Sequence, residues 1–214
     1  MPADFEKQSY WHERFTTEAS FEWLMPSETF MSILEPYLAR LGKMARILQL
    51  GSGTSDLQNQ LRGRGFHDIT NVDYEPLAIE RGRALEKQAF GDVVMKYIVA
   101  DVTQLGCEDL PGKFDLVVDK STVDAVSCGG EPALSRMTLG IRERLAHGGF
   151  WMSLSYSSSR FEIEHLPFQV EVAAKVPTPK NNPNEPDIFH WCYLLQPSVD
   201  LDRQFLVSYN SPSL

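Results

Sequence analysis

Two glycines, Gly51 and Gly53, and three acids, Asp73, Asp101 and Asp119, recur at spacings that can hold a nucleotide-containing cofactor. The glycines close the apolar run Arg46-Ile47-Leu48-Gln49-Leu50, and a segment with Leu57 and Leu61 on one helical face follows. A strand that turns sharply into a helix leaves backbone N–H groups free at the helix start. Residues without a Cβ let that backbone come close to a ligand. Asp73 falls about 20 residues after the glycines, where parallel α/β sheets place a carboxylate for ribose hydroxyls. Each acid alone reads equally well as a helix cap. Together, at the ends of successive strands that follow a glycine turn, they read as one site.

Such a site needs strands that end side by side. The hydrophobic pattern supplies them at about 45–50, 67–74, 94–100 and 114–119, the last a largely apolar run of the kind covered on both faces. Helices are expected at 56–63, after Asp73 with Ala78, Ile79 and Leu85 inward, and at 132–146 with Gly148-Gly149 as its stop. Ser27 reads as the N-cap of a helix carrying Phe30, Ile33 and Leu34, and Pro36 should break or kink it. Further strands are expected at 150–156, 169–176 and 188–195. The last two flank a loop rich in Pro and Asn (177–187) and read as a hairpin added to a parallel sheet; 205–209 could add a short edge strand. Ahead of the first strand, Tyr10, Trp11, Phe15, Phe21 and Trp23 crowd a short span. They either pad the sheet edge or wall a pocket, since aromatic faces attract sulfonium and ammonium groups.

A chain of 214 residues is the size of one α/β domain. One domain is expected over 1–214, with an N-terminal aromatic and helical cap (1–44), a cofactor-binding core (45–154) and C-terminal strands with a substrate-side loop (155–214). The net charge of −9 argues against nucleic acid and anionic membranes as partners and suits a basic one. No apolar run reaches the ~20 residues of a membrane span. The start, Met1-Pro2-Ala3-Asp4, lacks the basic and apolar regions of a secretory leader. Three scattered cysteines, Cys107, Cys128 and Cys192, fit a reducing compartment, so a cytoplasmic location is expected. Glu162 and His165 have an i,i+3 spacing seen in metal sites, but no further His or Cys stands near, and no metal is expected. His12 is expected at the surface, and His190 packed in the sheet.

The cofactor follows from charge. A dinucleotide fingerprint needs a third glycine where this chain has Asp56, and an acid there repels a pyrophosphate. S-adenosylmethionine has no phosphate and asks only for close backbone approach. Four stretches then resemble a known family: Tyr10–Phe15 with Phe21-Glu22-Trp23; Leu48–Gly53 with Asn71–Tyr74; Phe114–Ala125, against the pattern Asp/Glu-Lys-Gly-Thr-Leu-Asp-Ala; and Phe189–Leu195. The chain resembles class I S-adenosylmethionine-dependent methyltransferases, and within them the methyltransferase-like enzymes that methylate lysines of translation elongation factor 1-alpha. The resemblance implies a Rossmann-like α/β fold, doubly wound, with a seven-stranded, mostly parallel sheet whose last strand is antiparallel. It implies cofactor contacts from Trp11, Phe15, Trp23, Gly51, Ser52, Gly53, Asp73, Tyr74, Asp101, Val102 and Lys120. Ser52 and Thr54 depart from a common Cys and Asn, Ser121 departs from the family's Gly, and 156–187 has no match.

Asp119 and Lys120 begin the loop at the catalytic end of the fourth strand, so both are expected to be catalytic, Asp119 by orienting an acceptor nitrogen. The expected acceptor is a lysine of a basic, elongation factor 1-alpha-like protein. A small molecule accepting on N or O, or a non-catalytic binding module with the same fold, are the alternatives.

Overall fold

The structure is a computed structural model that describes residues 4–18, 20–105, 110, 112–180, 182 and 184–198. Two helices come first, α1 (Gln8–Thr17) and α2 (Ser27–Leu38). Strands and helices then alternate: β1 (Ile47–Leu50), α3 (Leu57–Gly63), β2 (Ile69–Asp73), α4 (Pro76–Phe90), β3 (Lys96–Val99), a 3-10 turn (Val102–Gln104) and β4 (Phe114–Lys120). The rest is α5 (Thr122–Ser127), α6 (Glu131–Arg144), β5 (Leu145–Ser155), β6 (Phe168–Pro177) and β7 (Phe189–Pro197). Residues 205–209, and Cys107, lie outside the described residues.

The seven strands form one sheet in the order β3-β2-β1-β4-β5-β7-β6. Strands β1 to β5 pair in parallel, and β7 runs antiparallel to both β5 and β6, as expected for the last strand. Period-two alternation sends neighbouring side chains to opposite faces. Ile47, Leu116, Val118, Met152 and Leu154 pack under α2, α3 and α4, against Phe30, Leu34, Leu61 and Ile79. Leu48, Leu50, Val117 and Trp151 pack on the other face against Val123 of α5 and Leu134, Met137 and Ile141 of α6. Cover on both faces is why the inner strands read as continuous apolar runs.

Three local expectations are corrected. Ser27 is the first helical residue and not the cap; its hydroxyl bonds to Glu22 and Ser55 instead. Helix α2 continues through Pro36 to Leu38, because the proline stands in the last turn and the buried face of Phe30, Met31, Leu34 and Leu38 holds that turn in place. Gly148-Gly149 does not stop α6, which ends at Arg144 and passes straight into β5. Those glycines lie where the β4–β5 register shifts; Gly148 has φ +75°, and a Cβ on Gly149 would stand 2.8 Å from the Phe114 carbonyl oxygen.

Candidate functional site

The β1–α3 turn is built from backbone that only glycine adopts freely. Gly51 and Gly53 have φ of +59° and +52°. At Gly51 a Cβ would lie 2.1 Å from Thr122 Oγ1, which itself donates to the Leu50 carbonyl at 2.9 Å. The Gly53 N–H donates to Asp73 Oδ2 at 2.8 Å, tying the turn to the end of β2. Asp73 Oδ1 accepts from the Glu75 N–H at 3.0 Å. Burial pushes the Asp73 carboxyl up to about 6, against the pull of these backbone bonds. Asp101, two residues beyond β3, caps the 3-10 turn by accepting from the N–H and hydroxyl of Thr103, both at 2.8 Å. Cap and site wall are here the same residue.

Helix α1 lies over these strand ends. Arg81 of α4 donates to the carbonyls of Phe15 and Glu18, closing the α1 C-terminus. Gln8 donates to the Tyr74 carbonyl at 2.6 Å, and the exposed ring of His12 meets the buried Glu75 at 3.0 Å. Trp11 packs on Phe15 and Trp23, with ring centroids 5.7 Å apart in each pair, and its Nε1 donates to the Phe5 carbonyl. Arg14 stands 4.6 Å from the centroids of both Phe21 and Trp23.

Together these elements enclose a cavity of about 570 Å³ at the carboxyl ends of β1, β2 and β4. All the residues expected to contact the cofactor line it: Trp11, Phe15, Trp23, Gly51, Ser52, Gly53, Asp73, Tyr74, Asp101, Val102 and Lys120. Two further wall atoms, Gln49 Oε1 and Ser52 Oγ, are buried without a hydrogen-bond partner among the described residues. Buried polar atoms are rarely left so, and a polar ligand would satisfy them.

The two residues expected to be catalytic do not share a face. Strand alternation turns Asp119 away from the cavity and beneath α5. It is 0% exposed and accepts from Trp151 Nε1 at 2.8 Å and the Val123 N–H at 3.1 Å. Burial pushes its carboxyl up to about 7. Enclosed in this way, Asp119 cannot reach an acceptor in the cavity. Lys120 does line it, but its ammonium is consumed: Nζ lies 2.5 Å from Glu22 Oε2 and donates to the carbonyls of Trp23, at 2.9 Å, and Met25, at 3.3 Å. Burial pulls the Lys120 pKa down while Glu22 opposes it. Lys120 is a clasp on the aromatic segment.

Sequence reasoning assigned no role to Asp124, Ser121 or Tyr156, which also line the cavity. Asp124 is 5% exposed and accepts from Ser155 Oγ at 2.5 Å, Arg160 Nε at 2.9 Å, the Tyr156 N–H at 3.1 Å and Ser121 Oγ at 3.3 Å. Burial raises its pKa against these donors. The signal within reach was the acid of the Phe114–Ala125 stretch; its partners Ser155, Tyr156 and Arg160 stand 31 to 36 residues on, beyond any local pattern. Glu162 and His165 are exposed, and His190 is half-buried with its pKa lowered by that burial. Among the described residues no group of three or more His, Cys, Asp or Glu stands ready for a metal.

Comparison with known proteins adds the family. The chain is 60% identical over 200 residues to the methyltransferase srdJ of Neurospora crassa, covering 92% of this chain and 85% of that protein. It is 29% identical over 175 residues to EEF1A lysine methyltransferase 4 of Mus musculus, covering 75% of this chain and 65%, a little under two thirds, of that longer protein. The fold matches the N-methyltransferase NodS of Bradyrhizobium japonicum, solved with S-adenosyl-l-homocysteine, with a TM-score of 0.63 at 15% identity over 86% of this chain and 98% of that one. A family model described as a methyltransferase domain matches residues 41–176, which contain the glycine turn, the strand-end acids and the β4–α5 turn. With most of its length and the greater part of its cavity inside that match, the chain belongs to the methyltransferase domain family.

Proposed function

We propose that this methyltransferase uses S-adenosylmethionine to methylate a lysine side chain of a protein, with a translation elongation factor 1-alpha-like protein as substrate. The observation that carries the acceptor is the alignment of three quarters of the chain with an EEF1A lysine methyltransferase. The net charge of −9 agrees with a basic protein partner.

The cavity fits the cofactor. The positive-φ turn at Gly51 and Gly53 would bring backbone close to the amino-acid part, beside the unpartnered Ser52 Oγ and Gln49 Oε1. Asp73 uses one backbone donor on each oxygen, which leaves carboxylate lone pairs for ribose hydroxyls. Asp101 and Val102, which line the cavity, would hold the adenine end, and Trp11, Phe15 and Trp23 would offer aromatic faces to a sulfonium. When bound, the cofactor supplies an electrophilic methyl group, which is the difficult part of the chemistry. The protein contributes alignment and exclusion of water. Helix α1 closes the cavity on one side. A desolvating aromatic wall lowers the pKa of an entering lysine, which must be a neutral amine to offer a lone pair.

Mass spectrometry of elongation factor 1-alpha from cells with and without the enzyme tests the acceptor. A lysine methylated only when the enzyme is present is the expected result. Identical methylation in both, together with transfer of labelled methyl to a metabolite in extract, replaces the protein acceptor with a small molecule.

A further inference from the structure

Four polar residues follow one another from the end of β4, and the fold gives each a different task. Asp119 is enclosed under α5, Lys120 holds the aromatic segment, and Thr122 Oγ1 donates to the Leu50 carbonyl. Ser121 remains. It lines the cavity with φ +71°, and among the described residues only Leu24 and His165 share a positive φ without being glycine. An L residue in that region crowds its own backbone, a cost that glycine avoids. The local turn does not ask for the side chain, since Ser121 makes no capping bond to α5. Its hydroxyl donates only to Asp124 Oδ2, over a long 3.3 Å. The two lone pairs of Ser121 Oγ therefore stay available to an incoming N–H. Asp124 is held rigidly by Ser155, Arg160 and the Tyr156 N–H, so the oxygen facing Ser121 has a defined position.

We propose that Ser121 hydrogen-bonds the acceptor nitrogen and that Asp124 is its positioning residue, so that this pair, and not Asp119 with Lys120, orients the amine. The inference rests on the reading of the acceptor as a lysine. Ser121 Oγ accepts from one N–H of the neutral amine while its own O–H donates to Asp124 Oδ2. The nitrogen lone pair is then left pointing into the cavity. The strained backbone is retained because it aims the hydroxyl there.

The test compares wild type, Ser121→Gly and Ser121→Ala for melting temperature, S-adenosylhomocysteine affinity by calorimetry, and steady-state kinetics on elongation factor 1-alpha. Both variants should bind S-adenosylhomocysteine as wild type does and turn over about tenfold more slowly, the value of one lost hydrogen bond. Ser121→Gly should melt about 2–4 °C above Ser121→Ala, because glycine relaxes the turn. Asp124→Asn should lower turnover in the same direction without weakening S-adenosylhomocysteine. Wild-type kcat and KM in Ser121→Gly would overturn the inference and leave lysine transfer standing. Wild-type enzyme that labels no lysine of the factor overturns the acceptor reading, and this inference with it.

Discussion

Asp73 shows how one side chain serves the fold and the cavity at once. Its two oxygens hold the glycine turn and the start of α4, and burial keeps its carboxyl near 6. A carboxyl whose pKa is raised in the folded chain binds protons more tightly there than when unfolded. Its contribution to folding is therefore complete below the ordinary value of 3.8 and is lost as pH rises through about 6. With Asp73 at the ribose as proposed, cofactor binding runs the other way, since ribose hydroxyls donate best to the ionised form. Affinity for S-adenosylhomocysteine should fall as pH drops through about 6, and Asp73→Asn should flatten that profile. Asp73→Ala should cost about 1–3 kcal/mol of binding at neutral pH. Calorimetry across pH 5 to 8 reads both effects; a flat wild-type profile would remove Asp73 from the ribose site.

At the scale of elements, the cavity depends on how the N-terminal segment is held. Helix α1 buries little of its own surface and is fastened by Arg81, Gln8 and the His12–Glu75 contact, while Lys120 fastens the tightly turned stretch from Glu22 to Met25. These ties cross from the N-terminal segment to α4 and β4, so the aromatic wall can be loosened without cutting the sheet. Lys120→Ala leaves Glu22 without its counter-charge and frees two carbonyls. It should weaken S-adenosylhomocysteine roughly tenfold, the value of one such charged hydrogen bond, while far-UV circular dichroism stays unchanged. Deleting residues 1–24 should abolish binding while the sheet remains folded. Unchanged affinity in a folded truncation would reduce the aromatics to packing.

Across the whole molecule, charge is the property that would meet the proposed protein substrate. A net charge of −9 would steer a basic partner and speed encounter, an effect screened beyond a Debye length of about 8 Å at physiological salt. The rate on elongation factor 1-alpha at low substrate should fall several-fold between about 0.05 and 0.3 M salt, with kcat nearly constant. Equal salt sensitivity of kcat and KM would place the effect in the folded enzyme and not in encounter. No described helix is long and apolar enough to cross a membrane.

Local chemistry determined much of this protein before any contact was known. Gly51 and Gly53 announce the turn because no other residue adopts that backbone freely, and apolar runs announce strands covered on both faces. Asp73 and Asp101, acids spaced after strand ends, announce the cavity, and every expected cofactor contact lines it. The tertiary structure decided what spacing cannot carry. Adjacent residues of a strand point to opposite faces, so Asp119 and Lys120, neighbours in sequence, part company: one lies under α5 and the other against Trp23. Asp124 acquires its meaning only from Ser155, Tyr156 and Arg160, brought to it by the pairing of β4 with β5. Pro36, which does not end α2, and Gly148-Gly149, which do not end α6, differ from their local reading for the same reason. A proline in the last turn of a well-buried helix, or a glycine pair at a register shift, answers to its packing partners, which no window of sequence contains.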